Sequence, residues 1–319
     1  MKYLLVAVGI VFALPAVAYP DRPVTFIVPF AAGGDADLAG RNLAAAAQGL
    51  LKQPVVVINK AGASGSIGSQ QVKNASADGY MLLVARVGSN AVLPALEKNL
   101  SYKWNDFTFI GLLELNPVVC VVHPDSPYKT LDDLGRALKA QPGKLNYSSS
   151  GVGTILHLGA QLLLQAFGVA GDAATHVPYK GGSEAALAVL SRNVDFSCGN
   201  LTSAIGLIRS GSLRALVVTT PERVKDIPDV PTVREAGYPQ LEAIVGWSAL
   251  YGPPKMDLEA LAKWTEVLRR VAIDPAWIAG EEKIGSIPRI LSPRETEAFV
   301  ADQFKVYERL GKQLNLELH

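Results

Sequence analysis

The residues of this chain that could do chemistry gather at a few turns, each following a short apolar run. The first turn is Ala31-Ala32-Gly33-Gly34-Asp35-Ala36-Asp37, after the run at 24–30, VTFIVPF. Two adjacent glycines let a ligand approach the backbone. The Ala/Leu-rich helical pattern that opens at Asp35 leaves unpaired N–H groups at the positive end of a helix dipole. A second such junction is Ser148-Ser149-Ser150-Gly151-Val152-Gly153-Thr154, followed by a helical pattern carrying Ile155, Leu158, Leu162 and Leu163, with His157 one turn in. Both suit an anion held by N–H groups and hydroxyls. Turns of this kind recur in any doubly wound protein, so the rest of the chain has to decide whether they hold anything.

The same residues are poorly arranged for catalysis. No G-x-S-x-G elbow occurs, and no His and Asp follow the serines in a triad order. Gly151 and Gly153 begin like a dinucleotide fingerprint, but the third glycine position is Leu156. His123, His157, His176 and His319 show no metal-ligand spacing, so neither a metal nor a cofactor is expected. A formal net charge of +1, with Lys and Arg scattered along the chain, excludes a nucleic-acid surface.

These turns need a scaffold, and the chain supplies a repeated strand-helix unit. Residues 53–59 and 80–85 read as further strands, with the flexible turn 62–68 and a helix near 69–74 between them. Such repetition predicts a parallel sheet with helices on both faces, and ligands then sit beyond the carboxyl ends of the strands. Those ends are 30–34, 59–64 and 86–90, the last carrying Arg86, Ser89 and Asn90. Strands at 107–114 and 117–122 mark a crossover. A second α/β region follows, with a helix at 131–140, strands at 145–147, 196–200 and 213–219, a helix at 203–209 and a proline-rich loop at 221–231. Residues 247–253 read as a strand crossing back, and helices at 258–271 and 293–314 complete the first region. The expected division is 19–122 with 246–319 as one domain and 123–245 as the other, two lobes joined by two crossings around a cleft.

At 319 residues and 49% hydrophobic content, the chain can bury sizeable cores. Its start reads as an export signal: Lys2, an apolar stretch at 3–14, then Ala16-Val17-Ala18 as a cleavage site. The stretch is shorter than the roughly 20 residues a bilayer requires, so a cleaved leader and a periplasmic mature chain beginning at Tyr19 are expected. Cys120 and Cys198 could pair in an oxidising compartment. Both sit in apolar strand-like runs, however, where buried free cysteine is common, and free thiols are the expectation.

The ordered motifs VPFAAGGDAD, QPVVVINKAGASGSIG, DGYMLL, SSSGVGTILHL, HVPYKGG, NVDF, DVPTVREAGYP and WSALYGPP span the mature chain. With them it resembles the periplasmic solute-binding proteins of tripartite tricarboxylate transporters, the Bug-type receptors. The resemblance implies an α/β, two-lobed type II periplasmic-binding-protein (Venus flytrap) fold, each lobe a sheet flanked by helices. It implies a monomeric receptor, not an enzyme, that closes on a small carboxylated molecule and delivers it to integral membrane transporter subunits. The alternatives are a sensory receptor for a membrane kinase or an exported hydrolase or isomerase. In relatives two loops hold the carboxylates, and these map onto Phe30, Ala32, Gly33, Gly34, Asp35 and Asp37, and onto Ser148, Ser150, Gly151, Gly153 and Thr154; His157, one turn into the following helix, could reach the same spot. Further contacts map onto Arg86, Ser89 and Asn90, onto Asp195 and Asn200, and onto Trp247.

Two positions depart from the family pattern. Relatives usually carry Pro-Pro-Gly-Gly and a neutral residue where this chain has Ala31-Ala32-Gly33-Gly34-Asp35. Asp35 is expected to serve as a helix N-cap; facing the cleft instead, it would repel a carboxylate and welcome a hydrogen-bond donor. Arg86 stands where relatives tend to have a small hydroxyl residue. A guanidinium there could grip a ligand carboxylate, the favoured reading, or pair with Asp35.

Overall fold

A computed structural model describes residues 19–316. The expected leader with its cleavage site after Ala18, and His319, lie outside the described residues. The chain begins with β1 (Val24–Val28), α1 (Asp35–Leu51), β2 (Val55–Asn59), α2 (Ser66–Lys73), β3 (Met81–Arg86) and the short α3 (Leu93–Leu96), then enters β4 (Thr108–Asn116). The second region holds β5 (Val118–Val122), α4 (Leu131–Ala140), β6 (Leu145–Ser149), α5 (Ile155–Ala166), β7 (Ala174–Pro178), α6 (Gly182–Leu190), β8 (Phe196–Asn200), α7 (Ile205–Arg209) and β9 (Arg214–Val218). The chain returns through β10 (Gly246–Gly252), α8 (Leu258–Val271), α9 (Pro275–Lys283), β11 (Ile287–Pro288) and α10 (Pro293–Gln313).

Two sheets result, ordered β11-β4-β10-β3-β1-β2 and β7-β6-β8-β5-β9. The strands of the opening strand-helix units pair in parallel, β1 between β2 and β3. Strand β10, which carries the return crossing, runs antiparallel to both its neighbours, β3 and β4, so the first sheet is mixed. Strand β5 pairs with β8 and β9 in the second sheet. Sheet membership therefore changes at Pro117, ahead of the expected boundary after residue 122.

The helices form where spacing and caps agree. Ala36, Ala39, Leu43, Ala44, Ala47 and Leu51 make one buried face of α1. That helix lies close on the sheet because residue 40 is glycine: a Cβ there would stand 3.2 Å from methyls of Val28 and Val84. Helices α4 and α10 start with reciprocal capping boxes, Thr130 with Asp133 and Ser292 with Glu295. The sequence reading missed α9, whose nine residues bury little beyond Trp277 and Glu281. Beyond the end of β3, residues 88–92 form a π-type turn leading into α3.

The cysteine expectation is overturned. Antiparallel pairing of β5 and β8 sets Cys120 opposite Cys198, with Cα atoms 4.0 Å apart, and the two form a disulfide. Strand identity alone could not reveal this, because 78 residues separate the partners and only the register brings them face to face.

Candidate functional site

The lobes meet over the carboxyl ends of β1, β3, β6 and β8. A small cavity of about 10 Å³ lies there, room for about one water molecule. The first lobe lines it with Phe30, Asp35, Arg86, Val87 and Gly88, the second with Ser150, Thr154, Ile155 and Asn200. Around it the lobes touch directly. The Ala31 N–H donates to the Lys180 carbonyl at 3.3 Å, Ser64 Oγ to the Val152 carbonyl at 2.5 Å, and Ser183 Oγ to the Ala32 carbonyl at 3.4 Å. Gly151 has φ +130°, and a Cβ there would lie 2.6 Å from Ser64 Oγ, so glycine is what lets this loop seat against the opposite lobe.

Strand register builds the floor of the site. Ser248 on β10 is opposite Arg86 on one side and Glu114 on the other, which puts three polar side chains in a row across adjacent strands. Arg86 Nη1 donates to Glu114 Oε1 at 3.0 Å and to Ser248 Oγ, and Ser248 Oγ in turn donates to Glu114. Arg86 Nη2 donates to the Asp35 carboxylate, which also accepts from Asn200 Nδ2 of the other lobe and, at 3.5 Å, from Ser203 Oγ. Asp35, Arg86, Glu114, Ser248 and Asn200 are all buried. Burial pushes the Glu114 carboxyl up against the opposing pull of Arg86. Burial, and next the charge of Glu114, pushes nearby Glu281 up to about 8.

Asp35 is not the helix cap. Gly34 is the N-cap and Asp35 the first helical residue, its side chain drawn instead to Arg86 and Asn200. No side chain caps α1; Asp37 accepts from the N–H of Gly33, one residue before the N-cap, at 2.9 Å, and from Arg41 and Asn59. Burial works against its ionisation, but these bonds outweigh it and hold the Asp37 carboxyl below the usual range. Of the two roles considered for Arg86, the structure shows pairing with Asp35, supplemented by a second carboxylate, Glu114.

Of the residues singled out from the sequence, Phe30, Asp35, Arg86, Ser150, Thr154 and Asn200 line the cavity. Ala32 lies at the seam between lobes, as does Gly34, where a Cβ would be 3.8 Å from the Gly182 nitrogen. Others serve the scaffold. Ser148 Oγ donates to the Ala185 carbonyl. Asn90 accepts from the Arg86 N–H and from Ser89 Oγ. Trp247 packs edge-on to Phe299 in the core. Asp195 precedes β8, at the opposite strand end from Asn200, and accepts from the Asn146 N–H at 2.8 Å. His157 Nδ1 accepts from the Gly153 N–H at 3.2 Å, and its ring stacks on His176 at 4.3 Å. Burial pushes both imidazoles down to about 4. Glu114, Ser248 and Ser203 went unnoticed in the sequence. Glu114 and Ser248 are recognisable only once three strands distant in sequence are placed side by side.

A family model described as "Tripartite tricarboxylate transporter family receptor" matches residues 39–316. Protein BugT of Bordetella pertussis is 32% identical, over 100% of this chain and 99% of its own length. Among solved structures, periplasmic binding protein BugD superposes with a TM-score of 0.88 at 32% identity, over 94% of this chain and 99% of that one. MatC of Rhodopseudomonas palustris with bound malate gives 0.86 at 28%, over 92% and 99%. Rpa4515 of the same organism with adipate gives 0.89 at 27%, over 94% and 99%. The superpositions cover more than nine-tenths of this chain and nearly all of each neighbour, in keeping with a two-lobed periplasmic-binding-protein fold. The chain belongs to the tripartite tricarboxylate transporter receptor family.

Proposed function

We propose that this protein captures a small carboxylate between its lobes, in the periplasm after removal of residues 1–18, and presents it to the membrane subunits of a tripartite tricarboxylate-type transporter. The observation that carries this reading is the seam lined from both lobes at the carboxyl ends of their strands, which closes on the space of about one water and would admit a small acid, bridged by both lobes, once they part. Malate and adipate in structural neighbours support an organic acid as the ligand class. The contact residues are those of the cavity together with the adjoining backbone at Gly34, on lobes that divide near Pro117 and Gly246. The protein acts as a monomer and returns its ligand unchanged.

A thermal-shift screen of dicarboxylates, monocarboxylates, aromatic acids and amino acids tests the reading. A ligand at 100 times its dissociation constant adds about 2.7 kcal/mol of stability. No shift from any acid would count against carboxylate capture. Mass spectrometry of the recovered ligand showing product beyond the amount of protein would instead reveal an enzyme.

A further inference from the structure

The two helix N-termini that face the cleft are unlike in charge. Helix α1 carries Asp35 and Asp37 in its first turn, whereas α5 carries no acidic residue there and begins at Thr154, beside Ser150 on the cavity wall. The side-chain donors that meet the start of α1 are already engaged, as is one N–H of its turn. Asp35 receives Arg86 Nη2 from its own lobe and Asn200 Nδ2 from the other, Arg86 Nη1 is committed to Glu114 and Ser248, and the Gly33 N–H is committed to Asp37. One half of the cleft therefore contains a carboxylate with its counter-charge and hydrogen bonds in place, while the other half has a helix dipole and no acid, its Ser150 hydroxyl donating to Thr154 Oγ1 at 3.2 Å and Thr154 Oγ1 to the Gly151 carbonyl at 2.8 Å.

We propose that Asp35 fills one of the two anion positions of the cleft with the chain's own carboxylate, so that the protein selects acids bearing a single carboxylate and discriminates against diacids. The inference rests on the receptor reading above and names the ligand class within it. A monoanion would set its carboxylate toward the α5 start and its uncharged end toward Asp35, where a hydroxyl or amide donor would find Oδ1, which accepts from Ser203 Oγ at 3.5 Å. A diacid would place its second negative charge beside Asp35 and Glu114, both desolvated, with Arg86 the cation they already share.

Calorimetric titration with adipate and succinate, each against its monomethyl ester, tests the proposal. The natural protein is expected to bind at least one monoester tenfold or more tighter than the parent diacid. Asp35→Asn keeps the side-chain shape and removes the charge, which should reduce that ratio by at least tenfold. Asp35→Ser serves as a second variant should the first fold poorly. A natural protein that binds a diacid as tightly as its monoester overturns the selectivity while leaving the receptor reading intact. An unchanged ratio in both variants overturns the role of Asp35. Binding of none of the four probes by the natural protein or either variant counts against the receptor reading and the selectivity together.

Discussion

Asp35 of the first lobe accepts a hydrogen bond from the Asn200 amide of the second, while Arg86 holds the same carboxylate from behind. The lobes are thus joined at the cleft by a buried, charge-assisted bond between side chains of the chain itself. Bonds of this kind contribute about 1.5–3 kcal/mol.

Asn200→Ala should therefore loosen the closed arrangement. Small-angle scattering without added ligand is expected to give a larger radius of gyration than for the natural protein. An equal radius would mean that the surrounding bonds from the Ala31 N–H and the Ser64 hydroxyl suffice to hold the lobes together.

Arg86→Ala should be among the most damaging single changes, because it strands two buried carboxylates. Removing one partner of a buried pair costs about 3–5 kcal/mol, read here as a lower midpoint in urea. The double replacement Arg86→Ala with Asp35→Ser should recover part of the loss, with Glu114 left to account for the rest. No recovery at all would argue against the coupling of Asp35 and Arg86.

The Cys120–Cys198 disulfide closes a long loop, and chain entropy alone assigns it about 4.5 kcal/mol. Replacing both cysteines by alanine should lower the thermal midpoint, and dithiothreitol should lower the midpoint of the natural protein but not that of the variant. Equal midpoints for natural and variant protein would contradict a stabilising role.

Stability should respond to pH through Glu281, whose carboxyl is raised from 4.5 to about 8. The folded protein holds a proton that the unfolded chain releases, so this contribution is complete below about pH 4.5 and is lost as pH rises toward 8. The depressed His157 and His176 act in the opposite sense: the unfolded chain binds protons the folded one refuses, so stability falls as pH drops from 6.5 toward about 4. Denaturation of Glu281→Gln across pH 5 to 8 should show a flatter alkaline limb than the natural protein. Parallel curves would mean that Glu281 titrates normally.

Much of the frame was legible because local pattern and final structure agree. Leu131–Ala140, Phe196–Asn200 and Leu258–Val271 were read with the bounds they have, since caps, turn residues and apolar spacing mark them in the sequence itself. The proximity of Asp35 and Arg86 was also readable, as adjacent parallel strands bring their ends to one rim. Glu114, Ser248 and the disulfide were not, because each depends on register between antiparallel strands far apart in sequence. Asp35 misled for a different reason: a helix-start aspartate is ordinarily a cap, and only the guanidinium across the sheet draws this one away. Asp195 and Trp247 were placed at the ligand by family likeness, whereas here one ties strand starts together and the other fills the core.

The Asp35–Asn200 bond also has a consequence in time. When a receptor's jaws are fastened by its own side chains, entry must wait for the fastening to break, and capture becomes a two-step process. The observed association rate should then rise with ligand concentration only until it meets the opening rate, and flatten beyond it. The apparent affinity is weakened by whatever fraction of molecules is shut at a given moment. Strengthening the latch would slow uptake from a rich medium, and weakening it would speed capture while letting the cargo escape sooner.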